Sequence, residues 1–165
     1  MLQKLIDFKS ATSVDDWFAI DDSVMGGVSN SRLRHDPAGH AVFEGEVSLE
    51  RNGGFASIRS RPRDLGAAGV AAYLLEVRGD GKRYKLNLRT SEEFDGVNYQ
   101  AGFDAPVGSW KVVRLPLAEF TPTFRGRIVP GAPPLDADAV RQIGLMIADR
   151  QAGDFALAIR WLGTE

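Results

Sequence analysis

The side chains best able to bind another molecule lie along one alternating stretch of the chain. In RYKLNLRT, residues 83–90, the polar positions include Lys85, Asn87 and Arg89, and apolar residues alternate with them. Side chains two residues apart in a strand project from the same face of a sheet. The pattern therefore predicts a row of two cations and one amide on a single surface.

A second alternating stretch extends this surface. VNYQAGF, residues 97–103, carries Asn98 and Gln100 on its polar face, and Arg59 in GGFASIRS can join them. The short connection predicts that the two stretches pair as neighbouring strands, with Asn87 and the second pair of amides on one face. Cations and amides on a concave sheet suit hydrogen bonding with sugars, carboxylates or protein loops. The alternative is the solvated outer face of a sandwich.

The stretch DDSVMGGVSNSRL, residues 21–33, combines two adjacent carboxylates, a glycine pair and three small polar residues. A phosphate-binding loop needs glycines between a strand and a helix, but this stretch leads into a strand-like pattern. We predict a corner of the chain, where Gly26 and Gly27 allow a positive φ or close backbone approach. Asp22 and Ser29 would satisfy local backbone donors. A contact surface formed by this loop is the alternative.

Composition excludes several kinds of chemistry. The chain has no cysteine, which removes disulfides, thiolate zinc sites, iron–sulfur clusters and cysteine nucleophiles. It contains no G-x-S-x-G motif, and its adjacent carboxylates would point apart in a strand, so a hydrolase is disfavoured. With 20 basic and 22 acidic residues the formal charge is −2, which gives no electrostatic case for a nucleic-acid partner.

Targeting and membrane signals are also missing from the pattern. The N-terminal segment MLQKLIDFKSATSVDDW has a charge every few residues and no apolar core, so it does not read as a signal peptide. The longest apolar runs fall far short of the ~20 residues that span a bilayer. We therefore expect no transmembrane segment and a soluble, cytoplasmic protein.

Period-two alternation and frequent turn residues predict the fold class. FEGEVSLE (43–50) and DFALAIRWL (154–162) alternate like the two polar stretches above, and glycine-containing turns separate them. We predict one all-β domain over residues 1–165, an antiparallel β-sandwich or jelly roll. LDADAVRQI (135–143) is a candidate short helix, and residues 121–136 read as a long surface loop. Alternation places Trp110 and Trp161 on the core face.

The motifs together resemble a known family. DDSVMGGVSNS, FEGEVSLERNGGFASIRS, VRGDGKRYKLNLRT, YQAGF, GSWKVVRLPLAEFTPTFRGRIV and IGLMIADRQAGDFALAI occur in the order seen in the complex I intermediate-associated protein family. The resemblance covers the chain from about Phe8 to Ile159. It implies a galactose-binding-like sandwich and makes DDSVMGGVS the family's signature loop, with Met25, Gly26 and Gly27 at its centre. It supplies no catalytic residues.

For function, the resemblance implies a non-enzymatic binding module that assists assembly of a multi-subunit complex. The protein client would include respiratory-complex subunits, although a short, bacterial-type version without a transit peptide could serve another client. The binding surface is predicted from two groups of residues. The contact face comprises Arg59, Lys85, Asn87, Arg89 and Gln100, and its rim comprises Asp22, Ser29, Arg125 and Asp149.

A carbohydrate- or small-ligand-binding module is the alternative, because jelly-roll folds are used widely for sugars. Such a site needs an exposed aromatic platform, for which Trp17, Trp110 and Trp161 are the candidates. We expect no cofactor. A structural calcium is conceivable through Asp21, Asp22 and Asp149, although their spacing does not require one.

Overall fold

A computed structural model describes residues 2–22, 26–91 and 96–165 of the chain. Within them, thirteen strands form two antiparallel sheets. The first sheet contains β1 (Gln3–Asp7), β3 (Asn30–Asp36), β4 (His40–Val47), β6 (Ala72–Arg78), β9 (Lys111–Pro116) and β13 (Gly153–Thr164). The second contains β2 (Trp17–Ala19), β5 (Ala56–Ser60), β7 (Arg83–Arg89), β8 (Asn98–Asp104), β10 (Thr121–Phe124), β11 (Arg127–Ile128) and β12 (Gln142–Ile147). Short 3₁₀ helices lie at Ala11–Val14, Glu50–Asn52, Leu117–Glu119 and Ala137–Ala139.

The two sheets bury apolar side chains between them, which confirms the predicted β-sandwich. Leu86 and Leu88 of β7 are fully buried on the inner face of the second sheet. Aromatic rings fill the space between the sheets: Phe43 of β4 contacts Phe155 of β13 and Tyr84 of β7 at centroid distances of 4.9 and 6.1 Å. Burial of such rings is the main source of stability in a sandwich core.

The strand order of the second sheet is β11-β10-β8-β7-β12-β5-β2. As predicted, β7 and β8 pair directly, and Asn87 lies opposite Gln100. Strand β12 lies between β7 and β5, with Gly144 opposite both Asn87 and Arg59. Residues from four separate parts of the sequence therefore form one row across the outer face of this sheet.

The first sheet has the order β3-β4-β13-β6-β9, with β1 also paired to β13. Its long strand β13 contains a bulge: Ile159 pairs with Val77, while Trp161 pairs with the adjacent Glu76. Arg160 is thus an extra residue that shifts the alternation by one position. The prediction that Trp161 faces the core is therefore wrong, because after the bulge Leu162 is buried and Trp161 is only half-buried.

Two local predictions had mixed outcomes. The candidate helix is present as the 3₁₀ helix Ala137–Ala139, and the Asp136 side chain accepts a hydrogen bond from Asp138 N at 3.0 Å, as an N-cap does. The long loop predicted over residues 121–136 is partly wrong. Strands β10 and β11 form a hairpin there, because Arg125 and Gly126, with φ values of 51° and 79°, make the two-residue turn between Phe124 and Arg127.

Candidate functional site

An open groove lies on the outer face of the second sheet, with a volume of about 610 Å³. It contains seven of the residues predicted to form the binding surface. These are Arg59, Lys85, Asn87, Arg89, Gln100, Arg125 and Asp149. The sequence pattern correctly indicated that these side chains lie near one another, and their role in binding stays a prediction.

The floor of the groove is the row that crosses β5, β12, β7 and β8. Gly144 lies in the middle of that row, between Arg59 and Asn87. A Cβ atom at Gly144 would come within 2.8 Å of the Ile58 carbonyl oxygen and 3.6 Å of the Asn87 Cβ. The glycine therefore leaves the floor low at this point, so that an occupant can approach the sheet backbone.

Two carboxamides meet at a thioether on this floor. Asn87 Nδ2 lies 3.9 Å from Met146 Sδ, and Gln100 Nε2 lies 3.5 Å from the same sulfur. A thioether is only a weak acceptor. Asn87 is 7% exposed, and its Oδ1 has no hydrogen-bond partner within the described residues. A buried, unpartnered amide oxygen costs free energy, and a donor that reached it after rotation of the amide would offset that cost.

Charged side chains line the walls around this floor. Lys85 Nζ lies 3.6 Å from Asp149 Oδ1 across the groove. Arg89 is only 2% exposed and donates to Gly96 O and Asn98 Oδ1, both at 3.2 Å. Arg89 thus fastens the segment after residue 95 to the sheet. It shapes the end of the groove in addition to contributing a charge.

The rim of the groove contains residues in an uncommon backbone conformation. Arg125, Asp149 and Arg150 have φ values of 51°, 62° and 56°, in the left-handed region that non-glycine residues rarely adopt. Among the described residues, Arg51 is the remaining non-glycine residue with positive φ, and it lies outside the groove lining. Backbone strain of this kind tends to concentrate at functional sites.

The predicted rim residues Asp22 and Ser29 lie elsewhere. They are absent from the groove lining, and the Asp22 carboxylate is fully buried. It accepts hydrogen bonds from Ser29 N at 2.9 Å, Ser29 Oγ at 2.6 Å and Gly54 N at 2.8 Å. A Cβ atom at Gly27 or Gly53 would collide with this carboxylate. The loop is therefore packed around Asp22, as a structural corner.

The neighbouring carboxylate, Asp21, points the other way and joins the two sheets. Its Oδ1 accepts from Ser31 Oγ of β3 at 2.5 Å and from Ser57 N of β5 at 3.0 Å. Burial raises the pKa of Asp21 above the ordinary 3.8, against the lowering effect of the Ser31 and Ser57 hydrogen bonds. Asp21 therefore bridges the two sheets, and both carboxylates of the signature loop already accept hydrogen bonds.

The pKa of Asp22 moves in the opposite direction. Burial alone would raise it, but the hydrogen bonds from Ser29 and Gly54 hold the pKa of this carboxyl below 3.8. Gly53, Gly54 and Phe55 also line the groove. Because the Gly54 N–H donates to Asp22, the signature loop supports one wall of the groove from behind. Met25, predicted as part of the signature loop, lies outside the described residues.

The residues predicted for calcium do not form a metal site. Asp21 and Asp22 accept from separate sets of donors, and Asp149 pairs with Lys85 in the groove. Over residues 2–22, 26–91 and 96–165, no group of three or more histidine, aspartate or glutamate side chains could hold a metal ion. This arrangement does not fit the multiple oxygen ligands that calcium requires.

The aromatic platform expected for a sugar site is also not formed by tryptophan. Trp110 and Trp161 stack with cations on the first sheet: Arg160 Cζ lies 4.0 Å from the Trp110 ring and Lys4 Nζ 5.6 Å from the Trp161 ring. Trp17 packs against the core, with its ring centroid 5.9 Å from that of Phe8. The aromatic residues that line the groove are Phe55 and Phe124.

Sequence reasoning missed Gly144 and Met146 as groove residues. Both lie in IGLMI, an apolar run that reads as a strand buried on both faces. The residues of β12 form the groove floor because of the strand's position in the sheet. The sequence of β12 by itself does not reveal that position. Met146 is half-buried while Leu145 and Ile147 are buried, which is the alternation expected once the face is known.

Two antiparallel sheets packed face to face, with a polar groove across the outer face of one of them, define a β-sandwich. The family 11 module of a cellulosomal cellulase from Clostridium thermocellum superimposes with a TM-score of 0.72, over 99% of this chain and 94% of that chain, at 16% identity. This likeness concerns the fold. Residues 6–159 match the model of the Complex I intermediate-associated protein 30 family, and the chain belongs to that family.

Curated relatives support this assignment. The mitochondrial Complex I intermediate-associated protein 30 of Drosophila melanogaster is 25% identical over 98% of this chain and 62% of its own length. A Schizosaccharomyces pombe protein, itself named only as uncharacterized, is 32% identical over 87% of this chain and 75% of its own. The chain spans 52% of the Caenorhabditis elegans relative. It thus covers about half to three-fifths of the fly and worm proteins.

The predicted cytoplasmic location is contradicted by these relatives. Those from fly, worm and mouse are all named as mitochondrial proteins. The charge pattern of the N-terminal segment was weighed only against a secretory signal peptide, and that comparison does not distinguish the cytoplasm from the mitochondrion. The expectation of a bacterial-type chain likewise finds no support, because these relatives are eukaryotic. Among the described residues, no helix is long and apolar enough to cross a membrane.

Proposed function

We propose that this protein is a non-enzymatic binding module that assists assembly of a multi-subunit respiratory complex of the complex I type. The groove on the second sheet would hold a segment of a client subunit until its permanent partner takes it over. The observation that supports this most directly is the polar floor, where the buried Asn87 has an unpartnered oxygen. Membership of the Complex I intermediate-associated protein 30 family supports a client from complex I.

The groove chemistry supports binding over catalysis. Asp149 is the one carboxylate among the described lining residues, and Lys85 already pairs with it. General acid–base catalysis by carboxylates needs a second group facing the first across the cleft. The lining also offers no serine beside a histidine, the arrangement that activates a nucleophile. The groove is therefore equipped to hold a partner through hydrogen bonds and charge.

Affinity purification with a groove variant tests this function. The tagged protein is recovered from host lysate and detergent-solubilised membranes, and its bound subunits are identified by mass spectrometry. The test variant is Arg59→Ala/Lys85→Ala, which avoids the buried Arg89. The matched control is Arg61→Ala/Arg63→Ala, which removes the same charge from two exposed residues outside the groove lining.

We expect the wild type and the control to recover respiratory-complex subunits and the groove variant to lose them. Removing a hot-spot side chain from a buried interface costs about 2 kcal/mol or more, roughly a thirtyfold weaker Kd. Unchanged unfolding midpoints for all three proteins would show that folding is intact. Equal recovery by the groove variant would contradict the placement of the client, and no recovery by the wild type would contradict the assembly role.

A saccharide ligand is the second candidate, and Phe124 is the observation that favours it. This aromatic side chain is 39% exposed at the rim of the groove, on the same sheet as the amides. Calorimetric titration with a β-1,3-1,4-mixed-linked tetrasaccharide, the ligand in one family 11 module structure, tests this candidate. Binding that disappears in Phe124→Ala would support it, and no heat of binding at millimolar sugar would remove it.

A further inference from the structure

We propose that the groove binds an extended polypeptide segment and recognises it through its backbone, with the carboxamides of Asn87 and Gln100 as the reading groups. This inference rests on the proposed function and adds the physical form of the client. An extended segment is the form in which a subunit region exists before it has packed against its final neighbour. The recognition would therefore select for an unassembled state.

The two amides provide the donors and acceptors that a peptide unit needs. Each carboxamide has two N–H donors and one acceptor oxygen. One N–H of Asn87 and one of Gln100 point toward Met146 Sδ, at 3.9 and 3.5 Å. Gln100 then has one N–H and one carbonyl oxygen left, which together complement the carbonyl and N–H of a peptide backbone. Asn87 keeps one N–H, and its buried oxygen reaches a peptide N–H when the amide rotates toward the groove. Asn87 Oδ1 is the acceptor that lacks a partner among the described residues.

The row across the sheet has the length of a short extended peptide. From Arg59 on β5 through Gly144 and Asn87 to Gln100 on β8, the row crosses four adjacent strands. Three spacings of about 4.8 Å give roughly 14 Å, the length of about four extended residues. The low floor at Gly144 lets a peptide backbone lie close to the sheet instead of being held off by side chains.

The lining favours a peptide over a sugar ring. None of the described lining residues is tryptophan or tyrosine, the residues with the largest rings. Phe124 is the exposed ring, and the Arg125 guanidinium carbon lies 5.4 Å from its centroid, which places a cation over one face. A sugar would need that ring face as a platform, whereas a peptide segment can pass beside the ring and use the amides together with Arg59 and Lys85.

The inference is tested with an array of overlapping 12-residue peptides that covers the subunits of NADH:ubiquinone oxidoreductase from the host. The full-length protein is applied as wild type, Asn87→Leu and the matched control Asn30→Leu, which changes an exposed asparagine on β3 outside the groove. Gln100→Leu provides a second groove variant. Bound peptides are then resynthesised with a methyl group on one backbone nitrogen at a time, and their Kd values are measured by fluorescence anisotropy.

We expect Asn87→Leu and Gln100→Leu to weaken peptide binding at least about tenfold, the value of one good hydrogen bond, while Asn30→Leu leaves it unchanged. Because neighbouring N–H groups of an extended peptide point to opposite sides, backbone methylation should weaken binding at alternate positions only. Methylation without effect at every position would overturn backbone recognition.

The other outcomes separate this inference from the proposed function. Recovery of folded respiratory subunits with no binding to any peptide would overturn the extended-segment inference and leave the assembly role standing. Binding of the mixed-linked tetrasaccharide that Asn87→Leu abolishes, with no peptide bound, would overturn the inference in favour of a sugar. If neither subunits nor peptides bind, the proposed function itself fails.

Discussion

The signature loop and the groove each contain a buried polar side chain, but they differ in whether its oxygen atoms have hydrogen-bond donors. In the loop, the buried Asp22 accepts three hydrogen bonds, from Ser29 N, Ser29 Oγ and Gly54 N. In the groove, the buried Asn87 keeps an oxygen with no partner among the described residues. Both regions also depend on a glycine that leaves room for a neighbour. The loop satisfies its buried polar group, whereas the groove leaves one buried oxygen unsatisfied.

This difference shows how a structural polar group can be distinguished from a binding one. Asp22 finds its partners 7 and 32 residues away, so the fold itself satisfies the carboxylate. Asn87 has only a thioether near its amide nitrogen. A motif-like sequence is therefore a weaker indication of binding than a buried polar atom left unsatisfied by the fold.

The largest expected effect comes from removing the enclosed carboxylate. Asp22→Ala leaves the buried N–H groups of Ser29 and Gly54 without an acceptor, and each orphaned donor costs about 1–3 kcal/mol. We expect the free energy of unfolding to fall by roughly 3 kcal/mol or more, measured by urea denaturation. A matched change at an exposed carboxylate, Asp154→Ala, should cost less than about 0.5 kcal/mol. Equal losses of stability in Asp22→Ala and Asp154→Ala would show that the hydrogen bonds to Asp22 do not stabilise the fold.

Removing the unsatisfied amide of Asn87 should weaken client binding with little effect on folding. Asn87→Leu eliminates a buried oxygen that has no partner among the described residues, so the free energy of unfolding should be unchanged within about 0.5 kcal/mol or slightly higher. Recovery of the client should fall at least about tenfold. The measurement is a urea unfolding curve beside the affinity purification. A strongly destabilised Asn87→Leu variant would show that Asn87 stabilises the fold, as Asp22 does.

The two carboxylates of the loop should make opposite contributions to the pH dependence of stability. The pKa of Asp22 is lowered, so its contribution is full above pH 3.8 and is lost as pH falls through the lowered pKa. The pKa of Asp21 is raised, so stability declines as pH rises from 3.8 through the raised pKa. Asp22→Asn should reduce the pH dependence of the free energy of unfolding below pH 3.8, and Asp21→Asn should reduce it above pH 3.8. Both are measured by urea unfolding from acid to neutral pH. Identical pH profiles for the two variants would contradict the opposite pKa shifts of Asp21 and Asp22.

The smallest expected effect is at the rim. Arg150→Gly relieves a positive φ of 56° and should raise the free energy of unfolding by about 0.5 kcal/mol, since the strain of about 1–2 kcal/mol is partly offset by the entropy of glycine. Arg51→Gly, with φ of 55° outside the groove, is the control. Both should stabilise in thermal melts, but only Arg150→Gly should weaken client capture. Weakened capture by both would show that the rim has no special role.

Much of the fold could be predicted because strands with one buried face alternate in sequence. The alternation of β7 and β8 predicted both their pairing and the shared face of Asn87 and Gln100. The recognised motifs predicted the family and its sandwich. Turn residues marked the ends of the strands, which fixed the fold class before any tertiary contact was known.

The remainder depended on contacts between distant segments. The position of β12 between β5 and β7 brings Gly144 and Met146 into the groove, and no local pattern encodes a strand's neighbours. The bulge at Arg160 reverses the alternation without any glycine to mark it. Asp22 and Ser29 looked like rim residues because they are polar, but their partners, which only the fold supplies, place them inside.

The position of β13 also determines when the sandwich can close during synthesis. This strand is the last of the thirteen in sequence, yet it lies at the centre of the first sheet, between β4 and β6. Until it is made, β3–β4 and β6–β9 are separate strand pairs, while every strand of the second sheet is complete by Ile147. At about 5–20 residues per second, the ribosome takes about one to three seconds to add the residues from Ala148 to Thr164, and the apolar inner face of the second sheet stays uncovered during that time. A protein proposed to shelter unfinished subunits thus passes through an unfinished stage of its own.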